Sequence, residues 1–211
     1  MAIGLSENVY HPVADSVLAS NARNNLTVNG NEIGALATAP TSGTVAVTVS
    51  RNGRYFNLDF TLTAARIPVT DGAASGSHGT LKLWNFNQQA ISFLGARQNY
   101  TAFAEGAALT TAAGDAVFEI GVGTTAISAA ADGTLGNGVN ENVGQAVSVT
   151  LSSGTGTGTA VDGAKTTALD GTATALSLNL NWSGTAATID ATSTIDVTGT
   201  ITVSGVFLGD D

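Results

Sequence analysis

Cysteine is absent from the 211 residues, and histidine occurs only twice. The first absence excludes disulfides, thiolate metal ligands, cysteine nucleophiles and thiol redox chemistry together, and it is compatible with folding in a reducing cytoplasm. The second leaves His11 and His78 as the near-neutral bases. Neither belongs to a His-x-His or His-Glu-x-x-His pattern, so no zinc site is expected. For each, a solvated loop histidine is the simpler reading; His78 falls in a run of glycine and serine. A Gly-x-Ser-x-Gly elbow is also missing.

Charge is scarce, at 11% of the chain, and unbalanced, with seven Lys and Arg against sixteen Asp and Glu for a net −9. The basic residues Arg23, Arg51, Arg54, Arg66, Lys82, Arg97 and Lys165 are scattered. Affinity for phosphates rests on grouped cations, so no nucleic-acid partner is expected. So little lysine is unusual for a free soluble monomer. No apolar run is long enough to cross a bilayer as a helix, and no membrane partner is expected. The first ten residues hold neither a basic segment nor a continuous apolar run, so an ordinary secretory leader is not expected in them.

What is present is alternation. Phe56, Leu58, Phe60 and Leu62 alternate with Asn57, Asp59 and Thr61, which places apolar and polar groups on opposite faces of an extended strand. Val45, Val47 and Val49 alternate just before it, and the Asn52-Gly53 turn between the two runs predicts a hairpin. Further strands are expected at Thr80–Phe86, Ala90–Leu94, Ala116–Gly121, Gln145–Leu151, Thr172–Trp182 and Ile195–Phe207. Asn87-Gln-Gln suits a turn pairing the first two of these as antiparallel neighbours. The 183–193 connection suits the same role for the last two. Leu176, Leu178, Leu180 and Trp182 point inward on one of those closing strands, and Ile195, Val197, Ile201, Val203 and Phe207 on the other. Between Ala96 and Ala113, Tyr100, Phe103 and Ala107 recur at helix-like spacing, which predicts a helical turn there.

Eight or so such strands must pack as two sheets or close on themselves. The fold class is therefore all-β, an antiparallel β-sandwich or jelly roll. Residues 44–211 are read as one domain, preceded by an irregular arm or lead-in over residues 1–43 whose polar character, punctuated by Val, Leu and Ile, suits ordering on a neighbouring subunit.

Candidate chemistry is thin. Glu7, Glu32, Glu105, Glu119 and Glu141 are far apart, and no two can be placed facing each other as a glycosidase pair. Glu119 is read as facing inward with Val117, where an ion pair or interface contact needs fewer assumptions than catalysis. Asp132, Asn137, Asn140, Glu141 and Asn142 supply oxygen ligands in an exposed glycine-rich loop, but their spacing departs from an EF-hand. The low-complexity run from Ser152 to Thr159 is no phosphate loop, because no lysine follows its glycines; it reads as a flexible turn or an extended edge. Trp84, Trp182 and Tyr55 invite a sugar-stacking reading. Trp182 shares the register of three leucines and is core, whereas Trp84 alternates out of phase with Leu81 and Leu83 and is open to either role. No catalytic, cofactor or metal site is expected. The candidate interaction residues are Tyr10, His11, Val13 and Arg23 of the lead-in, with Trp84 and Glu119.

The run Leu58–Asp71, then Gly76–Phe86, then Ile91–Ala96, together with Leu176–Trp182, Ile195–Val203 and the closing Leu208-Gly-Asp, resembles a family of tailed-bacteriophage virion structural proteins. The likeness is one of strands and turns, runs from Leu58 to the C-terminus with gaps, and departs from the family over Ala129–Gln145. It implies a head decoration, or cement, protein, made in the host cytoplasm. Such a protein sits on the outer capsid surface, commonly as a homotrimer, and bridges copies of the major capsid protein. A rival expectation is a host-recognition or glycan-binding module of a tail or fibre; a polysaccharide-degrading enzyme ranks last, for want of an acid and base pair.

Overall fold

The computed structural model describes residues 33–70, 77–105, 116–128, 135, 140–151, 155–156, 161–163, 168–184 and 193–209. Tyr10, His11, Val13 and Arg23 lie outside them, as do Asp132 and Asn137. No helix occurs among the described residues, which form an antiparallel sheet system of twelve strands. In chain order these are β1 (Gly34–Leu36), β2 (Thr44–Asn52), β3 (Tyr55–Thr70), β4 (Ser77–Phe86), β5 (Ala90–Glu105), β6 (Ala116–Gly123), β7 (Gly144–Leu151), β8 (Thr155–Gly156), β9 (Val161–Gly163), β10 (Ala168–Leu169), β11 (Ser177–Gly184) and β12 (Ser193–Gly209).

The strands form two layers. One runs β2-β3-β12-β5, with the short β8, β9 and β10 on the outer edge of β5; the other runs β1-β4-β11-β6-β7. A corner joins them, since β3 and β4 pair only through Val69 with Gly79 and Thr70 with His78 before diverging. Apolar inner faces meet between the layers: Phe56 of β3 lies 5.8 Å from Phe86 of β4, and Phe86 lies 5.6 Å from Phe93 of β5, ring centre to ring centre. Burial of each such side chain contributes about 1.5–3 kcal/mol. On the far side the layers approach again, where the buried Gln98 of β5 donates from Nε2 to the Gln145 carbonyl of β7 at 2.8 Å. The result is a sandwich nearly closed into a barrel, as the alternation predicts.

β12 is the spine. It pairs with β3 along one edge and β5 along the other, and its odd-numbered residues from Ser193 to Phe207 face inward without interruption. Irregularities fall on its neighbours instead. In β3 the inward set changes phase, from Phe56, Leu58, Phe60 and Leu62 to Ala65, Ile67 and Val69, because Thr63 and Ala64 together oppose Thr198. Ala64 takes φ 45° there, and its N–H donates to the Thr198 hydroxyl at 3.0 Å. Arg66 then spans the ladder to Asp196, with Nε to Oδ1 at 2.7 Å and its NH2 group to Oδ2 at 2.8 Å.

Several expectations are corrected. No helical turn follows Gly95: Ala90–Glu105 is a single sixteen-residue strand. Its register slips at Leu94 and again at Thr101, so Tyr100 and Phe103 are three apart yet share the inner face. The helix-like spacing records a β-bulge. Gly95 does not end the strand but turns it, at φ 141°, where a side chain would be strained. The two predicted pairings of chain neighbours also fail. β4 and β5 lie in opposite layers with Asn87-Gln-Gln crossing between them, and β11 pairs with β4 and β6 whereas β12 pairs with β3 and β5. The β2–β3 hairpin forms as predicted, around a two-residue Gly53-Arg54 turn closed by Asn52 and Tyr55. Within the 1–43 lead-in, Ile33 is wholly buried and β1 pairs with β4, so residues 33–43 form part of the β body.

Candidate interaction surface

The outer faces of the two layers differ in what covers them. Outside β11, loop residues 124–127 and 140–143 lie over the sheet and take up its polar side chains. Asn181 is fully buried and makes four bonds: Nδ2 donates to the Thr125 and Asn140 carbonyls at 2.9 and 2.8 Å, and Oδ1 accepts from Ile127 N–H at 3.1 Å and the Thr80 hydroxyl at 2.8 Å. Asn142 bonds the backbone and hydroxyl of Thr124, and Glu141 accepts from the Ala146 N–H at 2.7 Å. The predicted exposed loop is therefore buried over Asn140–Val143, and the oxygens that suggested a cation are bonded to protein donors. Among the described residues, no three His, Asp or Glu side chains gather into a metal-binding group.

Glu119 joins this cover. It lies half-buried on the face opposite Phe118 and Ile120, which take the inward positions because they are the larger apolar residues, and its Oε2 accepts from the Leu135 N–H at 3.2 Å. The inward reading of Glu119 is thus corrected; its carboxylate holds a loop. Trp84 is 1% exposed, with its ring edge-on to Phe60 at 6.4 Å, so it offers no stacking surface. A slip in the β4–β11 register between Lys82 and Trp84 places Leu83 and Trp84 both inside, which is why the phase of Leu81 and Leu83 misleads. His78 sits in β4 rather than in a loop, at one level with Ser183 of β11 and Glu119 of β6. Ser183 is fully buried and its hydroxyl makes no hydrogen bond, so the row lacks the nucleophile–base bond and the access of a catalytic triad.

Outside β12 nothing covers the sheet. Its outer face carries Thr48, Asp59 and Thr202 in one row and Ser50, Asn57 and Ser204 in the next. The hydroxyls of Thr202 and Ser204 donate to Asp59 and Asn57 at 2.7 and 2.6 Å. The polar face ends in an apolar group. Tyr55 is 60% exposed, Leu94 42% and Leu208 41%, and all three share this end with the half-buried Val206, which pairs directly with Tyr55. The register slip at Leu94 turns that side chain outward next to Phe93, and Leu208 alternates out beside Phe207.

No family model, curated protein or solved structure matches this chain.

Only Tyr55 of the exposed group is legible in the sequence as a candidate. Leu94 and Leu208 read as ordinary strand residues, and no signal short of the pairing register brings them together. Arg54 lies at the same end, with one guanidinium N–H directed at the Leu208 carbonyl at 3.4 Å, and Arg51 lies 5.4 Å over the Phe207 ring. A contiguous exposed apolar group with a polar surround is the usual signature of a contact surface.

Proposed function

We propose that this protein is a non-enzymatic virion structural protein of a tailed bacteriophage, a capsid decoration (cement) protein that binds the outer surface of the major capsid lattice as a homotrimer. One observation carries the reading: the exposed large apolar residues Tyr55, Leu94 and Leu208 gather at one end of an otherwise polar sheet face. That end is a ready docking patch on a rigid slab. The strand and turn pattern from Leu58 onward supports it by resemblance, and a Lys-poor chain of net charge −9 suits a position away from packaged DNA. Holding power in such an assembly comes from modest apolar contacts, at about 25 cal/mol per Å² buried, repeated over many symmetry copies.

Cryo-EM of particles assembled with and without the protein tests this. Density over capsomer junctions that disappears with the protein is the expected result. Density confined to the tail, or none, sinks the proposal. Leu94→Ser with Leu208→Ser should release the protein from particles while leaving its unfolding midpoint nearly unchanged, because both side chains are already exposed.

A further inference from the structure

We propose that the depression beside Tyr55 is a carbohydrate site that receives the face of a single pyranose ring. Four of its lining residues come from one face of the β2–β3 hairpin, where Ser50 pairs with Asn57 and Asn52 with Tyr55 in adjacent rows. Arg51 closes a wall, fixed by the Gly53 carbonyl at 2.7 Å and by the Phe207 ring. The depression holds about 180 Å³. Pockets for drug-sized ligands run about 300–1,000 Å³, so this one suits a single sugar ring.

Three features select a sugar. First, Tyr55 presents its ring to solvent on a backbone pinned from both sides, by Asn52 across β2 and Val206 across β12. The apolar C–H face of a pyranose packs on such a ring with little ordering cost, since the tyrosine has few torsions to freeze. Second, the surrounding polar groups retain hydrogen-bonding capacity. Asn57 accepts from Ser204 through Oδ1 and keeps both Nδ2 protons, while the Asn52 amide, the Ser50 hydroxyl and the Tyr55 phenol make no hydrogen bond within the described residues. Amides and hydroxyls that both donate and accept match sugar hydroxyls, which do the same. Third, no carboxylate lines the depression, so it offers nothing to a metal ion.

The test uses the intact protein on an array of neutral and acidic bacterial-envelope oligosaccharides, followed by NMR titration of the sugars retained. Wild type should bind at least one of them. Tyr55→Ala should lower that affinity by about tenfold or more, Tyr55→Phe should stay within about threefold, and Asn57→Ala should fall between. Circular dichroism and thermal midpoints check that each variant is folded. No sugar bound by wild type, or equal binding by wild type and Tyr55→Ala, overturns the proposal. If Tyr55→Ala instead loses particle attachment while wild type binds no sugar, the patch is a protein-docking surface and the carbohydrate assignment fails. Sugar binding that persists where particle attachment is absent would retain this site and reject the capsid reading, so the two failures are distinguishable.

Discussion

β11 and β12 share one sequence device, large aliphatic or aromatic residues alternating with small polar ones, yet they end in opposite environments. On β12 the polar residues Asp196, Thr200, Thr202 and Ser204 form an outer face that is partly or fully open to solvent. On β11 the equivalent residues Asn179, Asn181 and Ser183 are buried under loops. The chemistry of the polar residue follows the difference. Threonine and serine satisfy themselves with one neighbour or with water, whereas asparagine brings two donors and two acceptor lone pairs and can hold several backbone groups of an overlying loop at once. Alternation states which face is apolar; the kind of polar residue states whether the other face is covered.

Substitutions should separate the two strands sharply. Asn181→Leu removes one partner from four hydrogen bonds and leaves buried carbonyls and an N–H unsatisfied; it should cost about 3–5 kcal/mol in denaturant unfolding and loosen Ile127 and Asn140 in amide exchange. A loss below about 1 kcal/mol would mean the loops are not held through β11. Next, Gly199→Ala attacks the regularity of β12, because a Cβ there would lie 2.3 Å from the Asn99 carbonyl oxygen of β5 and backbone must move. A loss of about 2 kcal/mol is expected, read from the shift in urea midpoint at constant slope.

A smaller effect should appear only in alkali. Burial pushes the Tyr100 phenol well above its ordinary value, and its hydroxyl donates to Gln98 Oε1 at 2.6 Å. The unfolded chain ionises near pH 10 while the folded one keeps its proton, so this contribution to stability is complete below about pH 10 and declines above it, by up to about 1.4 kcal/mol per pH unit. Tyr100→Phe should flatten that alkaline slope while costing about 1 kcal/mol at neutral pH through the lost bond to Gln98. Smallest of all, Thr202→Ala on the open face of β12 should change stability by about 0.5 kcal/mol or less, despite its bond to Asp59. A Thr202 effect rivalling that of Asn181 would erase the distinction between the strands.

Much of the fold was legible in the residues, because period-two patterning is a direct consequence of strand geometry. The β2–β3 hairpin, the inward sets of β3, β11 and β12 and the all-β class follow from it. Three errors share one cause. Tyr100 with Phe103, Leu83 with Trp84, and the supposed stop at Gly95 all lie at slips of register, where a bulge adds one residue and breaks the period. In β3 the slip was readable, since the change from even-numbered to odd-numbered apolar positions between Leu62 and Ala65 needs one. Strand partners were not legible, because β4 and β5 face each other across the core without sharing a hydrogen-bonded edge. The exposed group was half visible: Tyr55 precedes Phe56 in an alternating run, but its neighbours Leu94 and Val206 come from distant segments that only the β12 ladders bring together.

The position of β12 in both ladders also sets an order of events during synthesis. β3 and β5 share no edge with each other; each waits for the same partner, which is translated after every other described strand. Until Ser193–Gly209 has emerged from the ribosome, the nascent chain must carry two long unpaired edges, and closing such distant contacts is slow. Chaperone capture at that stage, and sensitivity of yield to anything that delays the last strand, follow from placing the spine at the end of the message.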